Sequence, residues 1–422
     1  MNFYRSSVTI AQDSAPAYTA KVNNTLCNTN MAYALANQRT LDSEIVIGKN
    51  VVNLRGALEN CINLSKPVTV IGNEPITDCG NFLYNCRKLN TNVIINRPIN
   101  NAQSMFAECQ NLECDLNLIL TEDTPTQDMF KNCYKLKGNV QILPYTSTGN
   151  YQINGTRLFD GCANIAGANI GEIKHNAAFM FNGCKNLKSC QIANNSVMDF
   201  NNAAYMFAGC QNLTFAPDVH ANMNAYPKAN FSHCFDGCYS LTNANIMRIS
   251  GVPSYDESNF ESVFRNCRNL SDGLRAEYVL GKNMMNAFRD CWSLNRVSYI
   301  GYLAYDVNYY AAYMNCYNLN SQIIMNAYLR GNFMYTLAGC SNLSDIKIER
   351  FNMSHVWNYS MMLDNKNKAH RLNIKFNDHY DVSDLASLQT AVSVMLIGGY
   401  GIQWTNTGTY KCYNSEWNIY IE

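Results

Sequence analysis

Twelve of the 18 cysteines in this 422-residue chain sit in one recurring phrase. They are Cys61, Cys86, Cys109, Cys133, Cys162, Cys184, Cys210, Cys238, Cys267, Cys291, Cys316 and Cys340, at intervals of 22 to 29 residues. A repeat period of roughly 20 to 50 residues is the signature of a solenoid, because one such unit cannot bury its own apolar face and must stack on its neighbours. Degenerate copies flank the set. Gln38 takes the cysteine slot after Leu35-Ala36-Asn37, and Asn365 takes it after Met361-Met362-Leu363-Asp364. The expectation is a stack of 14 coils over residues 31–376, with no domain boundary inside it.

Each slot has a physical reason. Three residues before the cysteine the side chain is large and apolar, as in Leu58, Leu83, Phe106, Phe130, Phe159, Phe235 and Tyr313. Immediately before the cysteine, Gly or Asn dominates, as in Asn60, Asn85, Gly161, Gly209 and Gly339. Both tolerate the left-handed backbone that closes a helix, which predicts a short helical segment ending there. Leu or Ile follows three residues after the cysteine, often behind an Asn suited to satisfying turn backbone groups, as in Asn63-Leu64 and Asn111-Leu112. Short alternating stretches then predict half-buried strands, among them Val68/Val70, Val93/Ile95, Leu116/Leu118, Val140/Ile142 and Ile346/Ile348. Helix, turn, strand and loop in repetition give an α/β repeat solenoid with one parallel sheet.

The phrase Met105-Phe106-Ala107-Glu108-Cys109-Gln110-Asn111-Leu112 and its relatives resemble the BspA-like leucine-rich repeats. The resemblance covers about four-fifths of the chain. It implies a leucine-rich-repeat solenoid of the kind carried by bacterial or protist surface adhesins, with related modules in some phage structural proteins.

The ends break the period. Residues 1–30 are small and polar, and read either as an N-terminal cap or as an attachment arm. Residues 377–422 read as a helix-plus-strands cap or a docking module. Asp381-Val382-Ser383-Asp384 starts a helix carrying Leu385, Leu388, Val392 and Leu396, and strands follow near 402–404, 409–413 and 417–420.

Composition narrows the function. Lys plus Arg is 32 and Asp plus Glu is 32, so the formal charge is zero. A neutral chain lacks the basic face that nucleic-acid or polybasic membrane attachment needs. No run approaches the roughly 20 apolar residues of a membrane span. The polar start, Met1-Asn2-Phe3-Tyr4-Arg5-Ser6-Ser7, has no apolar core of a secretory signal.

A catalytic centre is not expected. No C-x2-C pair suggests zinc, and the cysteine column reads as small buried side chains stacked between coils. His233 beside Cys234 is the only His–Cys pairing with a hint of a ligand, and reads more simply as a loop residue. Carboxylates fall at no fixed offset, and no phosphate-binding glycine loop occurs. No cofactor is implied.

The candidate binding residues lie outside. Asn117, Gln141, Asn169, Gln191 and Asn245 fall between inward strand positions and form a row on the open sheet face. That row is either a hydrogen-bonding surface for a partner or a solvated face whose amides bond one another. Longer intervals locate loops rich in tyrosine, with Tyr145 and Tyr151 in one and Tyr302, Tyr305, Tyr309 and Tyr310 in another. Loop tyrosines give large contact area at low entropic cost, although they can equally cover neighbouring coils.

These features point to a non-enzymatic binding or structural protein. The expected setting is a bacteriophage virion, as tail, fibre or surface decoration, with other virion proteins or a host-surface glycan or protein as partner. The alternative is a cell-surface adhesin.

Overall fold

In the computed structural model, residues 19–21, 29–137, 140–145, 152–170, 172–173, 176–192, 201–215, 219–221, 228–243, 246–248, 258–271, 282–297, 299–300, 307–320, 322–326, 331–343, 345–349, 356–364, 371–377, 394, 409–412 and 415–421 are described. The chain divides into two compact units, residues 1–196 and 197–422.

In the first unit the strands form parallel ladders, which take in expected stretches such as Val68/Val70 and also Thr19–Lys21 and Glu44–Ile47. Thr19–Lys21, Glu44–Ile47, Val68–Val70 and Val93–Ile95 pair in that order. Leu116–Leu120, Val140–Pro144, Gly167–Ile170 and Ser189–Ile192 form a second such ladder. The alternation sets the faces: Val68, Val70, Leu116, Leu118, Val140 and Ile142 are buried. In the second unit Tyr299–Ile300, Ile323–Asn326, Asp345–Glu349, Arg371–Asn377 and Ser415–Ile421 pair in parallel. The strands fall into several separate ladders, so fourteen coils remains a count of the sequence repeat.

The expected helical turns are absent. Among the described residues the segments before each cysteine are turns, and only Val394 is helical. The reason is in the hydrogen bonds. Inside a helix each N–H bonds back four residues within its own segment. Here the N–H groups alternate. Those of Ala57, Glu59 and Cys61 bond back three residues, to Leu54, Gly56 and Leu58. Those of Gly56, Leu58 and Asn60 donate instead to Gly80, Phe82 and Tyr84 of the next coil. Turn closure and coil stacking therefore share the backbone donors, and no helix can form.

Left-handed residues make this path possible. The position before the cysteine has positive φ as its Gly/Asn preference predicts, 60° at Asn60 and 78° at Gly161. A second left-handed position lies five residues before the cysteine, at Gly56, Asn81, Ser104, Asp128, Arg157, Phe179 and Tyr205 among others. It carries almost every side-chain type, so composition gives no sign of it. A left-handed residue third in a four-residue turn is the geometry of a type II turn.

Stacking repeats the same side chain in the same place. Phe106, Phe130, Phe159 and Phe181 lie face to face with ring centroids 5.2–5.3 Å apart. In the second unit Phe207, Phe235, Phe264, Phe288 and Tyr313 do the same at 5.1–5.3 Å. Burying each ring contributes roughly 1.5–3 kcal/mol, with about 0.5–1.5 kcal/mol more for each stacked pair.

Further parallel bridges open several of the turns, among them Asn30 to Asn53 and Asn202 through Asn230, Asn259 and Asn283 to Asn308. Asn53, Asn101, Asn154, Asn202, Asn230, Asn259, Asn283, Asn308 and Asn332 sit eight residues before a cysteine. Each accepts the backbone N–H two residues on at its Oδ1, at 3.0–3.2 Å. This Asx turn accounts for part of the asparagine excess.

At the C-terminal end, the N–H of Met361 donates to the carbonyl of Val394 at 2.9 Å. Strand Thr409–Cys412 pairs antiparallel with Ser415–Ile421 and closes the sheet order there. The rest of the expected helix and the strand near 402–404 lie outside the described residues. Met361 is left-handed and Leu363 is buried, while the degenerate cysteine slot that follows lies outside the described residues.

Candidate functional site

None of the twelve slot cysteines forms a disulfide. Eleven of them share one arrangement: the thiol donates to the carbonyl oxygen of the residue three before the cysteine of the preceding coil. Cys109 reaches Leu83 at 3.0 Å, Cys162 reaches Phe130 at 3.0 Å and Cys316 reaches Phe288 at 3.1 Å. The same carbonyl already accepts its own coil's cysteine N–H, so the thiol fills its second lone pair. The column is therefore a hydrogen-bonding ladder as well as the packing column expected from spacing. Burial pushes these thiols up, Cys61 to about 11 and Cys340 to about 12. Thiolate is the nucleophile and the metal ligand, so such groups are inert. No cluster able to hold a metal ion occurs among the described residues.

His233 and Cys234 part company. Cys234 is buried in the core, whereas His233 stacks on Tyr205 at 4.5 Å and places Nδ1 2.9 Å from Asp236. Arg265 donates through Nε to the other oxygen of Asp236 at 3.0 Å. Burial opposes the charge on Asp236, but hydrogen bonds from His233 and Arg265 hold its carboxyl below the ordinary range. This is a charged cluster joining neighbouring coils.

The amide row takes the expected register. Asn117 pairs with Gln141, Gln141 with Asn169, and Asn169 with Gln191 across adjacent strands. Asn117 and Asn169 are exposed and Gln141 is half-buried. Asn245, Tyr151, Tyr302 and Tyr305 lie outside the described residues. Tyr145 is 53% exposed. Tyr310 is half-buried and meets Tyr335 edge-on at 6.0 Å. Tyr309 is corrected: it is 1% exposed and stacks on Phe333 at 5.5 Å, so it belongs to the core and not to a binding loop.

A stronger row lies one residue after the cysteine, where sequence reasoning did not look. Tyr239, Arg268, Trp292 and Tyr317 occupy that position in four successive coils of the second unit. Backbone bonds hold the register, from Ser293 N–H to the Arg268 carbonyl and from Asn318 N–H to the Trp292 carbonyl. The Arg268 guanidinium lies 5.1 Å over the Tyr239 ring and 4.2 Å over the Trp292 ring. Trp292 and Tyr317 are 6.1 Å apart and tilted by 38°. All three rings stay exposed, at 38–39%. The signal was present as a column: reading the residue after Cys238, Cys267, Cys291 and Cys316 in turn gives Tyr, Arg, Trp, Tyr.

Comparison with known families and structures adds the following. A family model described as the BspA type leucine-rich repeat region matches six copies, over residues 126–234, 155–273 and 261–367. A second, described as a Mycoplasma protein of unknown function, DUF285, matches residues 29–143. No curated protein matches the chain. Among solved structures, a leucine-rich cell surface protein from Faecalibacterium prausnitzii is 17% identical, with 72% of this chain and 78% of that one covered and a TM-score of 0.40. A leucine-rich repeat protein from Bacteroides ovatus is 16% identical, with 82% and 86% covered and a TM-score of 0.40.

Proposed function

The chain belongs to the BspA-type leucine-rich repeat family, and from that premise we propose that it is a non-enzymatic binding protein displayed on an outer surface. The solenoid is the scaffold and its exposed rows are the contact face. One observation carries this reading: chemistry is divided between inside and outside. The thiols and the phenylalanine rings are engaged in coil-to-coil contacts. The rows that face solvent hold amides, tyrosines, a tryptophan and an arginine in fixed register. Tyr, Trp and Arg dominate the energetics of protein interfaces, and repeat solenoids present them on extended surfaces.

The amide row of Asn117, Gln141, Asn169 and Gln191 is the second contact candidate, toward a glycan or a protein. Residues 1–30 and 377–422 act as caps in this reading, with docking to an anchoring protein as their further role. A cell-surface adhesin is the setting that family membership favours. A virion component, as tail, fibre or decoration, uses the same scaffold in the same way.

Immunogold microscopy of the source culture, with antibody against the full chain, tests the reading. Gold on the cell envelope supports the adhesin, and gold on phage-like particles supports the virion component. Gold confined to the cell interior overturns outer display.

A further inference from the structure

We propose that the Tyr239–Arg268–Trp292–Tyr317 stripe recognises an acidic protein segment; the proposal rests on the binding reading above and names its partner. Three observations lead there. First, the Arg268 guanidinium lies over both the Tyr239 and the Trp292 rings. Its planar faces are stacked on aromatics, and its N–H edge is the part that recognises a carboxylate.

Second, arginine outnumbers carboxylate in the segments that carry the stripe. The five residues after Cys238, Cys267, Cys291 and Cys316 hold Arg268 and Arg296 among hydroxyls and amides. The acidic residue in these segments, Asp272, lies outside the described residues. Asp290, two residues before Trp292, is already engaged by Arg289 at 3.4 Å and by the Asn315 amide at 2.8 Å. A carboxylate-bearing partner matches the Arg268 guanidinium in charge and in donor geometry.

Third, the composition favours protein over sugar. Sugars stack on open aromatic faces, and here the guanidinium covers one face each of Tyr239 and Trp292. A Trp, two Tyr and an Arg in one rigid, partly exposed cluster is the make-up of a protein interface centre.

The test uses the full chain and a fluorescently labelled Glu-rich peptide, read by anisotropy, with a Gln-rich peptide of equal length as control. Binding of the acidic peptide alone, weakened by salt, supports the proposal. So does a loss of about tenfold or more in affinity in Arg268→Gln and in Trp292→Ala, with Lys66→Gln, at an exposed lysine of the first unit, unchanged. Both substitutions are on exposed side chains, and unchanged melting temperatures confirm that the variants fold. Equal binding by all variants overturns the stripe as the site. Binding of polygalacturonate but not the peptide overturns the protein partner. Binding of neither probe overturns the proposal, while the immunogold result still judges outer display separately.

Discussion

The thiol of Cys133 donates to the carbonyl oxygen of Phe106, 3.1 Å away and one coil earlier. This contact explains why the slot selects cysteine over another small apolar residue. Replacing it removes a hydrogen bond from a buried carbonyl and leaves a small void. Cys133→Ala is expected to lower stability by about 1–3 kcal/mol, measured by urea unfolding.

The same burial makes the protein sensitive to alkali. The slot thiols titrate above their ordinary value near 9 because burial penalises the thiolate, as at Cys61, Cys109, Cys267 and Cys340. Above pH 9 the unfolded chain loses these protons before the folded one does. Stability is therefore intact below pH 9 and falls as pH rises through the folded values, by at most about 1.4 kcal/mol per pH unit for each thiol. Melting temperature measured from pH 7 to 11 is expected to stay level and then drop steeply. A level profile to pH 11 contradicts the account.

Phe159 lies between Phe130 at 5.2 Å and Phe181 at 5.3 Å. Phe159→Ala breaks both stacks and opens a cavity in a fully packed column. The expected cost is about 3–5 kcal/mol in denaturant unfolding.

Ser104 has φ of 53° in the turn before Cys109. A left-handed non-glycine residue is strained by roughly 1–2 kcal/mol, more than the added chain freedom of glycine offsets. Ser104→Gly is thus expected to stabilise the protein by about 0.5–1 kcal/mol. In a helical segment the same change destabilises. The sign of the change in melting temperature separates the turn architecture from the helical one.

Arg97 is fully buried and crosses coils. Its Nε donates to the Glu74 carbonyl at 2.6 Å and its Nη1 to the Val51 carbonyl at 2.7 Å. Arg97→Met fills similar space but leaves both carbonyls without this donor. A loss of about 2–4 kcal/mol is expected in thermal or denaturant unfolding.

The solenoid was legible because its signal repeats. The cysteine interval, the apolar residue three before it and the alternation at Val68/Val70 or Leu116/Leu118 each reflect burial, which acts directly on side-chain type. The turns were not legible. Their character depends on whether the N–H of Leu58 bonds within its coil or to Phe82 of the next, and both choices suit the same side chains. The left-handed site at Phe179 or Tyr205 is fixed by that stacking and leaves no mark on composition. Tyr309 was misassigned because a tyrosine after a long interval looks like a loop residue, whereas here it begins the next coil's core. The exposed stripe at Tyr239, Arg268, Trp292 and Tyr317 needed the column after the cysteine to be read vertically, since no single coil shows it.

The central claim is that the repeated cysteines serve packing and leave recognition to the exterior. Alkylation of the native full chain, followed by mass spectrometry of each cysteine, tests it most directly. The account predicts that the twelve slot thiols stay unmodified until the protein is denatured, then all react without prior reduction. Rapid native labelling of the slot cysteines, or a need for reductant or chelator before they react, contradicts it.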